Sequence, residues 1–96
     1  MAQKRRLRIL AGRVATREIL ETIVESERAQ YKDFIGYASI SSINLRLREM
    51  ETCGLIEHHM SREEKREEWY TPTEAGIQFS KQLKQIDELD ERISQE

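Results

Sequence analysis

Between residues 43 and 76 the signals that start and stop secondary structure come in an order that few folds can satisfy. Ile43, Leu47 and Met50 recur at helical spacing, and Gly54 follows as the residue best able to take the left-handed backbone that ends a helix. Leu55 and Ile56 begin an extended run over 55–60, and a second run over 67–71 returns after the charged segment 61–66. Pro72 cannot donate a ladder hydrogen bond, so it halts the second run. Thr73 then caps a helix reaching to residue 94 or so, about 30 Å at 1.5 Å per residue. An amphipathic helix, a glycine stop, a two-stranded ribbon and a long helix therefore follow one another directly.

The residues before this stretch add helices. Leu7, Leu10 and Ala11, with Val14 one turn on, put an apolar face on a first helix that Gly12 can interrupt. Thr16 is the expected N-cap of a second, which carries Ile19, Leu20, Ile23 and Val24. A short helix over 30–35 should turn Phe34 and Ile35 inward and end at Gly36. Ser39 or Ser41 supplies the cap of the next. The class is thus α+β and mostly helical, divided into a basic N-terminal arm or helix (1–14), a central domain (15–72) and a C-terminal helix (73–96).

A chain of 96 residues is near the lower end of what one hydrophobic core stabilises alone. No apolar run approaches membrane-spanning length, and the N-terminus lacks the apolar segment of a signal peptide, so no membrane association or secretion is expected. The lone Cys53 cannot form an intramolecular disulfide, which fits a reducing cytoplasm. The formal net charge of −2 conceals an uneven distribution. Residues 1–17 hold Lys4, Arg5, Arg6, Arg8, Arg13 and Arg17 and no acid, so the other ten basic residues share 18–96 with all eighteen acids. A basic arm beside an acidic body is the footprint of a local polyanion contact.

Two segments carry a family resemblance. Leu47-Arg48-Glu49-Met50-Glu51-Thr52-Cys53-Gly54-Leu55-Ile56 resembles the L-x-x-L-x-x-x-G-L-I segment of winged helix-turn-helix transcription regulators of the MarR, PadR and HxlR kind. Tyr70-Thr71-Pro72-Thr73-Glu74-Ala75-Gly76 resembles the Y-x-L-T-x-x-G segment that opens their C-terminal helix. The similarity covers about residues 16–80, and small archaeal winged-helix proteins that dimerise through such a helix are similar in size. Pro72 departs from the Leu common there, and the wing, with Glu63, Glu64, Glu67 and Glu68 against Arg62, Lys65 and Arg66, is unusually acidic. The resemblance implies a two-stranded wing, a recognition helix for the DNA major groove, and a homodimer reading two half-sites.

Residue placement follows from about 100° per residue. With Leu47 at the centre of the buried stripe, Ser42, Leu45 and Glu49 lie opposite, Ser41, Arg48 and Thr52 on one flank, and Arg46 on the other. Ser41, Ser42, Leu45, Arg46 and Arg48 are the candidate reading residues, through hydrogen bonds, a thymine methyl contact and guanine or phosphate contacts. Lys4, Arg5, Arg6 and Arg8 are candidate phosphate contacts from the arm, as are Arg62, Lys65 and Arg66 from the wing. Phe79, Leu83, Ile86, Leu89 and Ile93 form a coiled-coil-like seam for a dimer. No metal or other cofactor is expected, because strand alternation sends His58 and His59 to opposite faces and leaves Cys53 without partners. No catalytic constellation stands out. The expected function is a DNA-binding transcription regulator, a repressor before an activator; the alternatives are a winged-helix protein–protein adaptor and an architectural DNA-binding protein without sequence choice.

Overall fold

The computed structural model describes residues 6–95; Lys4 and Arg5 lie outside the described residues. Helices α1 (Arg6–Ala11) and α2 (Thr16–Ser26) lead to a 3₁₀ turn at Tyr31–Phe34 and to α3 (Ile40–Thr52). Strands β1 (Ile56–Met60) and β2 (Glu68–Pro72) form the antiparallel ribbon, and α4 (Glu74–Ser94) closes the chain. A mostly helical chain with one two-stranded sheet in this order is a winged helix-turn-helix.

The start and stop signals of α3 and α4 act as their chemistry dictates. Ser39 caps α3, its hydroxyl accepting from the Ser42 amide at 3.2 Å. Gly54 ends that helix at φ 77°. Thr73 caps α4, accepting from the Gly76 amide at 3.1 Å while donating to the Gly54 carbonyl at 2.6 Å. The Thr73 amide also donates to the Leu55 carbonyl at 3.0 Å. One threonine thus joins the first turn of α4 to the end of α3. Pro72 closes the strand register opposite Ile56, the last position where its missing N–H costs nothing.

The core gathers Ile19, Leu20 and Ile23 of α2, Phe34, the stripe Ile43, Leu47 and Met50 of α3, then Leu55, Ile56 and Leu83. Tyr70 rests on Phe34, ring centroids 6.1 Å apart. Burial first, then the Glu68 and Glu51 carboxylates and Tyr31, push its phenol above the ordinary value and keep it neutral there. β2 also bonds outside the ribbon. Ala29 and Tyr70 exchange both backbone hydrogen bonds, at 3.0 and 2.7 Å, so the segment after α2 becomes a one-residue third strand.

Several local expectations change. Thr16 is the first residue of α2 and buried, not its cap; Ala15 occupies the cap in the left-handed region, and its backbone carbonyl accepts from Ile19. Ile35 faces solvent rather than the core. At three residues per turn a 3₁₀ helix aligns Tyr31 with Phe34, which leaves the next residue pointing outward. In α1 only Leu10 is buried, while Leu7 and Val14 are exposed. Phe34, by contrast, is buried as expected.

In α4 the inward line is Gly76, Ser80 and Leu83, extended by Asp87, whose carboxylate receives the Arg17 Nε at 2.9 Å. The expected seam therefore splits. Leu83 belongs to the chain's own core, 3% exposed, and Phe79 packs half-buried against it. From Lys84 onward every described residue is exposed, including Ile86, Leu89 and Ile93.

Candidate nucleic-acid interface

Helix α3 buries Ile43, Arg46, Leu47 and Met50. That set centres the buried side between Leu47 and Arg46 rather than on Leu47, and it turns Ser41, Leu45, Arg48 and Thr52 squarely outward, with Asn44 beside them. Ser41, Leu45 and Arg48 thus share one exposed face, whereas the periodicity places Leu45 opposite the stripe and Ser41 and Arg48 on a flank. Ser42 is half-buried, and its oxygen accepts from the Ser39 hydroxyl at 2.9 Å within the cap. Asn44 was not singled out from sequence. It is an exposed amide with no charge or apolar pattern to mark it, and only the burial of its neighbours brings it onto the face.

Arg46 is a correction. Expected on a flank of the reading face, its side chain is 5% exposed and its guanidinium is hydrogen-bonded to Glu49. Positions 43, 46, 47 and 50 share one side of a helix whatever their chemistry, so the backbone carries the arginine inward. Its Nε is buried without a hydrogen-bond partner. A buried arginine held by a partly exposed carboxylate is often no better than an apolar side chain of similar volume, so Arg46→Met should melt at least as high as the parent, while Arg46→Ala, which leaves a cavity, should melt lower. Paired thermal melts check this; a Met variant that loses several degrees would mean that the pair anchors α3.

The structure brings two separate sequence regions together. A groove of about 340 Å³ between α1 and the end of α3 is lined by Arg6, Arg13 and Arg48, with Ile9, Leu10, Thr52, Cys53 and Glu49. Glu49 meets Arg13 at 3.9 Å as well as Arg46. The first basic residue of α1 therefore sits on the same surface as the exposed arginine of α3, and Arg8 is exposed on the same short helix.

At the wing, two of the carboxylates expected to oppose DNA are taken up beside its tip. Glu67 meets Arg28 at 3.5 Å, and Glu68 meets the His58 ring at 3.0 Å. Arg28 also lies 4.0 Å over the Trp69 ring, a cation–π contact that holds the ribbon to the end of α2. The tip, residues 62–66, keeps Arg62, Lys65 and Arg66 against Glu63 and Glu64, all exposed. His58 stacks on Tyr70 and His59 on Trp69, with centroids 4.8 and 5.4 Å apart, so the two histidines occupy opposite faces of the ribbon. No cluster of three metal-ligating side chains occurs among the described residues. No helix among them is long and apolar enough to cross a membrane.

The fold has solved counterparts. A protein from Enterococcus faecalis V583 described as a MarR-family transcriptional regulator superposes with a TM-score of 0.69 at 20% identity, over 81% of this chain and 73% of that one. A protein from Thermoplasma acidophilum described as a transcriptional regulator superposes with a TM-score of 0.69 at 25% identity, over 92% of both chains. No family model and no curated protein matches the sequence.

Proposed function

We propose that this chain is a DNA-binding transcription regulator that acts in the cytoplasm as a homodimer. The observation that carries the proposal is the exposed face of α3, with Ser41, Asn44, Leu45 and Arg48 turned outward and Arg6 and Arg13 gathered beside Arg48. On this reading α3 enters the major groove, and Arg6 and Arg8, with Lys4 and Arg5 before them in sequence, neutralise phosphates alongside. Arg62, Lys65 and Arg66 of the wing tip reach the flanking backbone. The solved counterparts, both described as transcriptional regulators, support it. The stripe Ile86, Leu89 and Ile93 pairs with a second copy, which sets two reading heads on a two-fold axis. Occupying an operator is enough to block transcription, so the regulator is read as a repressor, and no catalytic step is assigned to it.

The test is duplex binding across a salt series. The logarithm of affinity should fall linearly with the logarithm of salt, and Arg6→Ala or Arg48→Ala should each lower that slope by about one where the side chain meets phosphate. A chain that binds no duplex even at low salt is not a DNA-binding regulator, and a protein–protein adaptor then becomes the reading.

A further inference from the structure

The outward side of α3 has a composition that the function above leaves unexplained. Asn44 and Arg48 stand one turn apart, and Ser41 and Leu45 form a second row beside them that ends at the half-buried Glu49. Leu45 is 43% exposed on the face proposed to meet DNA. Branched apolar side chains on a solvated helix face gain nothing from water. In the major groove they have a specific counterpart, because the C5 methyl of thymine is the apolar group on a base edge. The amide of Asn44 matches the paired donor and acceptor of adenine, and the guanidinium of Arg48 matches the two acceptors of guanine.

The order along the helix adds direction. From Ser41 to Arg48 the face rises about 10 Å at 1.5 Å per residue, which spans about three base steps at about 3.4 Å each. The amide and apolar groups come before the arginine. A nucleic acid rather than an apolar protein suits the surroundings, because Arg48 is exposed, Arg6 and Arg13 line the adjoining groove, and the one carboxylate there, Glu49, is paired with Arg46 and Arg13.

We infer, resting on the DNA-binding reading, that each head selects a half-site whose core is A·T base pairs, with a thymine methyl against Leu45, adenine opposite Asn44, and one G·C pair at the Arg48 end. Asn44 thereby becomes a specificity-determining residue beside those named from sequence.

The experiment selects bound sites from a random duplex pool and then replaces thymine by uracil in the best site, which removes only the methyl. Binding by the unaltered protein should weaken about fourfold per contacted methyl, the worth of one buried carbon. Uracil at the pair facing Leu45 should make no difference to Leu45→Ala, and Asn44→Ala should weaken binding about tenfold and relax the choice of adenine. Circular dichroism verifies that the variants are folded, and the uracil comparison needs no variant at all. A G·C core in the selected sites, or equal affinity for thymine and uracil duplexes, overturns the inference while salt-dependent DNA binding stands. Failure to bind any duplex at low salt overturns both and assigns the apolar face to a protein partner.

Discussion

Replacing Gly76 by alanine should destabilise the protein by more than about 3 kcal/mol, enough to unfold a large fraction of so small a domain. A Cβ at this position would stand 2.0 Å from the Leu55 carbonyl oxygen and 3.0 Å from its carbon. Both belong to backbone, which cannot rotate away as a side-chain tip can. Nor can the helix retreat, because the Thr73 hydroxyl and amide hold the start of α4 to Gly54 and Leu55. Gly12→Ala is the control, since its added Cβ would meet only the Ile9 carbonyl oxygen at 3.7 Å, an ordinary contact. Urea unfolding should show a much lower midpoint for Gly76→Ala and a nearly unchanged one for Gly12→Ala. An unchanged midpoint for Gly76→Ala would refute the close approach of α4 to the α3–β1 junction.

Ile86→Glu combined with Ile93→Glu should convert a dimer to a monomer at micromolar concentration, read by sedimentation. Three apolar side chains, Ile86, Leu89 and Ile93, lie exposed on one side of α4. Burying each against a second copy is worth on the order of 1 kcal/mol, and two glutamates per helix would instead desolvate like charges across the seam. Loss of the dimer should lower affinity for a duplex with two half-sites about 10²–10⁴-fold while leaving a single half-site almost unaffected. Leu83 is the wrong residue for this test, because a glutamate there would enter the chain's own core and unfold it. A wild-type monomer in sedimentation would sink the dimer outright.

Elements whose ends are set by one residue's backbone chemistry were legible in the sequence. Gly54 and Thr73 needed no knowledge of neighbours, Ser39 was one of two candidate caps with Ser41, and the ribbon followed from what lay between Gly54 and Thr73. What escaped depended on packing between elements. Arg46 falls on a flank when the buried stripe is centred on Leu47, but packing centres the stripe between Leu47 and Arg46, which stands three residues from Ile43 and four from Met50. Leu83 fits a seam periodicity and a core periodicity equally well, and only the position of α2 decides between them. Asn44 is polar, uncharged and unpatterned, so nothing local distinguishes it from a solvated residue. The Ala29 bridge lay furthest from reach, since an alanine after a helix carries no strand signal. The exposed face of α3 thus differs from the expected one by a rotation, and that rotation exchanges an arginine for an asparagine.

The paired hydrogen bonds between Ala29 and Tyr70 have a bearing on how the chain folds. They close a loop that contains the 3₁₀ turn, all of α3 and the whole of β1, so they form only after a long stretch of chain has surrendered its freedom. The ribbon alone has low contact order and can zip locally; the bridge is the step that commits it to the helices. Opening the wing afterwards means breaking that closure, so the wing and α3 belong to one cooperative unit, and amide exchange at Ala29 and Tyr70 reports on the opening of both together.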